Sequence, residues 1–199
     1  MKKFIIGILF VLGLIFNGGH VMAAELHKAT FAGGCFWCLE PSFDELEGVK
    51  RTTVGYTGGH LEDPTYQDIG TGQTGHYEAI EVAYDPDVIS YQKLLDQFFR
   101  NIDPTDPDGQ FADRGPQYRT AVFYHDDAQQ QEAKAFIKQL DDSGKFDQPV
   151  VTKVIEAAKF YPAEDYHQEY YKKSSTHYNM YKVGSGRAGY IKETWGDKK

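Results

Sequence analysis

The stretch "YEAIEVAYDPDVISYQKLLDQFFRNI", residues 77–102, changes its hydrophobic period halfway. Residues 77–85 alternate as a half-buried strand does. After Ser90, a helix-capping residue type, Leu94, Leu95, Phe98, Phe99 and Ile102 recur at helical spacing. Upstream, "VKRTTVGY" (49–56) alternates as a second strand. "FWCLEPSFDELEG" reads as a helix closing at Gly48 with its first turns disturbed by Pro41, and "HKATFA" (27–32) as a strand running into Gly33-Gly34. Downstream, an irregular "DPTDPDGQFADRGPQ" leads to the strand "YRTAVFYH" (118–125). The order strand, helix, strand, strand, helix, strand is that of a ferredoxin-like split β-α-β sheet. The expected class is α+β, with helices over one face of a largely antiparallel sheet.

Beyond His125, "DDAQQQEAKAFIKQLDDSG" is a solvent-facing helix with Gly144 past its end, and "PVVTKVIEA" is a strand. "AEDYHQEYYKKS" (163–174) is expected to be the last helix, followed from Thr176 by an irregular tail. The Gly-, Thr-, Asp- and Pro-rich stretch from Thr57 to Gly75 has no period, and a loop of that length in a compact domain is usually functional.

Residues 1–23 carry Lys2 and Lys3, an apolar run from Phe4 to Phe16 and a small-residue exit at Val21 and Ala23. That is the pattern of a secretory signal peptide, since the run is shorter than the roughly 20 residues of a spanning helix. The expectation is export to a periplasmic or extracellular location without a stable membrane anchor, leaving one domain over residues 24–199. Removal of the two lysines makes the net charge of −8 more negative by two, which argues against nucleic acid as a partner. With 41% hydrophobic residues the chain can build a core without covalent staples. No heptads or apolar patch are evident, so a monomer is expected.

The two cysteines, Cys35 and Cys38, flank Phe36 and Trp37 in "GGCFWCLEP". A disulfide closing so small a loop contributes little stability. Zinc needs further ligands, and the seven histidines offer no pair at ligand spacing, "HYNM" and "YHQE" reading as surface clusters, so no metal is expected. A thioredoxin-type redox pair and a substrate-directed nucleophile remain. Cys35 lies where a helix N-terminus would lower a thiol's pKa from about 8.5. Beside the two glycines, Phe36 and Trp37 can form a part-open apolar pocket.

"GGCFWCLEPSFDELEGV", "VGYTGG", "PTYQDIGTGQTGHYEAIEVAYDP", "DRGPQYRTAVFY", "FYPAEDYHQEYY" and "GRAGYIKETW" together resemble MsrA-type peptide methionine sulfoxide reductases, from about Lys28 to the tail. The resemblance implies reduction of the S epimer of methionine sulfoxide, free or in proteins. It makes Cys35 the nucleophile, Phe36 and Trp37 the holders of the substrate methyl group, and Glu78 the acid that protonates the sulfoxide oxygen. It also makes Tyr66 and Tyr118 the hydroxyls that bind that oxygen, with Asp113 in the same polar wall. Many members have glycine in place of Cys38 and resolving cysteines in the tail; this tail has none, so Cys38 is the internal candidate for resolving the Cys35 sulfenic acid. No bound cofactor is implied. The reductant would be external, thioredoxin or a thioredoxin-like domain, because an exported enzyme works in an oxidising compartment. Two other functions fit the cysteine motif: a general thiol-disulfide oxidoreductase and an exported peptide-binding module.

Overall fold

The computed structural model describes residues 25–196. The signal-peptide reading of residues 1–23 lies outside them. In chain order the elements are β1 (His27–Gly33), α1 (Phe36–Asp44), β2 (Val49–Thr57), α2 (Tyr66–Gly70), β3 (Tyr77–Tyr84) and α3 (Tyr91–Phe99). The short strands β4 (Gly109–Gln110) and β5 (Asp113–Arg114) precede a 3-10 turn at Pro116–Tyr118, then β6 (Thr120–Tyr124) and α4 (Asp127–Asp142). The chain ends with β7 (Lys153–Glu156), β8 (Tyr161–Pro162), α5 (Tyr170–Lys173), α6 (Ser175–Gly184) and α7 (Arg187–Trp195).

Six strands form one sheet in the order β7-β6-β1-β3-β2-β8, with β4 and β5 a separate hairpin. All pairings in the large sheet are antiparallel except β6 with β7. The switch of period at residues 77–102 is realised: β3 pairs on both sides, and Ser90 caps α3 by accepting the amide of Lys93. Leu94, Leu95, Phe98 and Phe99 are fully buried. Alternation along β3 sends Ile80, Val82 and Tyr84 into the main core, while Tyr77 and Ala79 join a smaller cluster with Ala32, Ala121 and Phe123. Glu78 therefore stands at the end of the main-core row, on the side that receives α1.

Phe31 of β1 is the centre of that core, with ring centroids 4.9 Å from Phe98, 5.3 Å from Phe43 and 6.2 Å from Tyr91. Phe31→Ala is expected to destabilise the fold by about 3–5 kcal/mol, because the three rings, Phe43 on α1 and Tyr91 and Phe98 on α3, are fixed by their helices and cannot collapse into the cavity. Denaturant unfolding measures it; a loss below about 1 kcal/mol would contradict this packing.

Several sequence expectations are corrected. Residues 163–174 are not one helix: only Tyr170–Lys173 is helical, and Glu169 before it is left-handed, with φ 51°. The segment's side chains instead serve the sheet. Gln168 bonds both the amide and the carbonyl of Val54, and Glu164 accepts from the Tyr66 amide and the Tyr56 hydroxyl. The tail is not irregular either, since α6 and α7 occupy most of it. Tyr178 is the buried residue of α6 and Arg187 that of α7, so neither helix carries the apolar stripe by which a sequence reveals one. The strand expected over 149–157 is confined to Lys153–Glu156, and α1 ends at Asp44 rather than Gly48.

Candidate active site

β1 ends at Gly33, and Gly34 makes the turn at φ 77°. A β-carbon at Gly34 would stand 2.5 Å from the Cβ of Gln110 and 2.8 Å from Nη2 of Arg187, so both conformation and space call for glycine. Cys35 follows as the N-cap of α1, and the Cys38 amide donates to its carbonyl at 3.1 Å. The amide of Phe36, one of the unpaired donors at the helix start, donates to Oε2 of Glu78 at 3.2 Å. Sulfur and carboxyl thus meet at the same helix end, although 42 residues separate Phe36 from Glu78.

Glu78 is 2% exposed. Burial raises its pKa to about 8 against the opposing bond from Phe36, so the carboxyl is mostly neutral at pH 7. Both cysteines are free, buried and hydrogen-bonded to each other. The expected lowering of the Cys35 pKa is corrected: although Cys35 does cap a helix, burial, the bond with Cys38 and the nearby Glu78 and Asp113 push its thiol well above the ordinary value. Cys38 moves the other way. Its bond with Cys35 favours the thiolate, burial opposes it, and Arg187 favours it again.

Phe36 is buried 5.1 Å from the His167 ring and 6.0 Å from Tyr56. Trp37 is half-buried, its Nε1 donating to Nδ1 of His167 at 3.0 Å and its face stacked on Tyr170 at 3.9 Å. Tyr66, at the start of α2, and Tyr118, at the end of the 3-10 turn, lie within electrostatic reach of both Cys35 and Glu78. Burial, then the Glu78 charge, raises both phenols, keeping them neutral donors. Asp113 of β5 accepts from the Tyr181 hydroxyl; burial raises its pKa and that bond opposes the rise.

Cys35, Phe36, Trp37, Cys38, Glu78, Tyr66, Tyr118 and Asp113 therefore gather at one end of the sheet. The sequence reading missed four neighbours: His167, Tyr170, Tyr181 and Arg187. His167 was expected on the surface within "YHQE", yet it is 1% exposed among aromatic rings. Its spacing of three from Tyr170 was the available signal. A groove of about 750 Å³ nearby, lined by Glu40, Asp44, Arg51, Gln168 and Lys172, contains neither cysteine. Among the described residues no group of three or more His, Cys, Asp or Glu could hold a metal ion.

The family model described as peptide methionine sulfoxide reductase matches residues 27–199. The chain is 52% identical over 177 residues to "Peptide methionine sulfoxide reductase MsrA" of Bacillus subtilis (strain 168), covering 89% of this chain and 100% of that one. The crystal structure of Mxr1 from Saccharomyces cerevisiae in reduced form matches with a TM-score of 0.72 and 30% identity, over 78% of this chain and 91% of that one. Mxr1 solved in complex with Trx2 matches with a TM-score of 0.52 and 26% identity, over 76% and 91%. The chain belongs to the peptide methionine sulfoxide reductase family, is of the MsrA type, and is an oxidoreductase that acts on methionine sulfoxide.

Proposed function

We propose that this reductase acts on the S epimer of methionine sulfoxide, in proteins and as the free amino acid, through a sulfenic acid on Cys35. The observation that carries the reading is the buried, mostly neutral carboxyl of Glu78 bonded to the amide beside Cys35. The Cys35 sulfur attacks the sulfoxide sulfur while Glu78 supplies a proton to the departing oxygen. Methionine is released, the oxygen stays on Cys35 as sulfenic acid, and the thiol's proton reloads Glu78. Two electrons pass from Cys35 to the substrate. Tyr66 and Tyr118 hold the oxygen, Asp113 lines the same wall, and Phe36 and Trp37 receive the methyl group. Because Cys35 rests as a protonated thiol, bound substrate is what makes its deprotonation favourable.

Cys38 then attacks the sulfenic sulfur, releasing water and closing a disulfide that a thioredoxin-like reductant opens. The hydrogen bond between the two thiols supports the assignment, and the complex of Mxr1 with Trx2 supports the class of partner. The signal-peptide pattern at residues 1–23 supports repair of oxidised exported proteins. The succession β6-β1-β3-β2, antiparallel throughout, supports the split β-α-β reading of the sheet.

The test is a single turnover on a peptide containing either sulfoxide epimer. Cys38→Ser is expected to release about one methionine per enzyme from the S epimer, then to stall with thioredoxin while dimedone traps the sulfenic acid. Turnover with thioredoxin at the wild-type rate would remove Cys38 from the cycle; consumption of the R epimer would overturn the stereochemistry.

A further inference from the structure

Arg187 opens α7 and is 1% exposed. Its guanidinium donates from Nη1 to the carbonyl of Asn101 at 2.6 Å and from Nη2 to the carbonyl of Gly33 at 2.9 Å. It lies 4.7 Å from the ring centroid of Phe111. No carboxylate among the described residues stands at ion-pair distance from it. The guanidinium's direct bonds go to neutral carbonyls, and the Asp113 carboxyl, itself bonded to the Tyr181 hydroxyl, acts on it only through space, so a buried cation beside the thiol pair is favoured by a further negative charge. The seat is shaped for it, since the missing side chain of Gly34 leaves the space that Nη2 fills, next to Cys35.

We propose that Arg187 is a positioning residue for the second half of the reaction, a fixed positive charge that stabilises the Cys38 thiolate as it attacks the Cys35 sulfenic acid. The proposal rests on the reading of Cys38 as the resolving thiol. In that step a bond forms between the two sulfurs and the sulfur–oxygen bond of Cys35 breaks. Cys38 is oxidised from thiol to disulfide, the sulfenic sulfur is reduced to the disulfide level, and the oxygen leaves as water with the proton Cys38 has lost.

The other groups facing Cys38 are Cys35 on α1, Glu78 on β3, Asp113 on β5, and Tyr178, Tyr181 and Lys182 on α6. Glu78 and Asp113 would oppose a thiolate whenever they ionise, and the tyrosines are neutral. Lys182 acts in the same sense as Arg187, but it is half-buried and its Nζ lies over the Tyr178 ring at 5.7 Å. Arg187 is the cation that water screens least. A tail without a cysteine thus contributes a charge to the thiol chemistry instead.

The experiment follows methionine release and disulfide formation separately in one turnover, for wild type, Arg187→Gln and Arg187→Lys, from pH 6 to 9. The expected result is that Arg187→Gln slows disulfide formation on the order of tenfold relative to methionine release at pH 7, that being the rate equivalent of one pH unit. The deficit closes as pH rises, and Arg187→Lys recovers most of the rate. Equal slowing of both steps with an unchanged pH profile, or a lysine variant as slow as glutamine at every pH, would show a merely structural role and overturn the proposal. Should Arg187→Gln fail to fold, Arg187→Met, which keeps the length of the side chain without its charge, takes its place in the same assay: slowing confined to disulfide formation is expected, and equal slowing of both steps sinks the idea. If wild type forms no disulfide after one turnover, the Cys38 reading falls and this proposal with it; failure confined to the Arg187 variants falls on the proposal alone.

Discussion

Cys35→Ser is expected to lose sulfoxide reduction completely, to the background of an assay that follows methionine formation with dithiothreitol as reductant. A serine hydroxyl at this position can neither attack a sulfoxide sulfur nor hold the transferred oxygen as a sulfenic acid, and Cys38 lies a turn deeper in α1, whereas the Glu78 carboxyl is bonded to the Phe36 amide next to Cys35. The fold is expected to be kept, because Cys35 caps α1 through backbone geometry and makes no side-chain capping bond. The same variant separates the rival functions. A peptide-binding module would be unaffected by the change. A general disulfide reductase would reduce a disulfide-bonded model protein in its wild-type form and be indifferent to Glu78. Residual sulfoxide reduction by Cys35→Ser would move the nucleophile elsewhere.

Glu78→Gln is expected to lower kcat by about 10²–10⁴, the range of a well-placed general acid, with a much smaller change in KM. Glutamine has the shape of the neutral acid and can still accept the Phe36 amide, but it has no proton to deliver. Stability responds in the opposite sense. Glu78 holds its proton more tightly when folded, at about 8, than an unfolded glutamate does near 4.3. Its contribution to stability is fully present below about pH 4.3 and is lost as pH rises through 8, because the native state must then bury a charge. Denaturant unfolding at pH 6 and pH 9 is therefore expected to show wild type losing more stability than Glu78→Gln. A variant that keeps wild-type kcat, or the same loss of stability in both proteins, would mean that Glu78 is ionised in the native protein and is not the acid.

Much of the fold was legible because local rules were obeyed. The alternation in β3, the Ser90 cap and the apolar spacing of α3 are all requirements that a residue places on its near neighbours in the chain. The candidate site residues from Cys35 to Tyr118 were legible through motif resemblance, and their convergence follows from the antiparallel order β6, β1, β3 and β2, which sets the start of β6, just after Tyr118, beside the end of β1. The C-terminal third was not legible in the same way. Residues 163–168 have the composition of a helix, but Gln168 and Glu164 find better partners on β2 and α2 than a helix would offer. Helices α6 and α7 bury a tyrosine and an arginine against the site, leaving no periodic apolar signal.

The amino-acid sequence by itself determined the class of fold, the order of its first six main elements and the family, and it singled out Cys35 and Glu78 as the candidate nucleophile and acid. Only the tertiary structure decided the protonation of Cys35 and Glu78, the seating of Trp37 on His167 and Tyr170, and the burial of Arg187 beside the thiols. The physical reason is range. Periodicity and caps record interactions within a few residues, whereas desolvation and charge pairing depend on contacts such as Trp37 with His167, 130 residues apart, and Gly33 with Arg187, 154 apart.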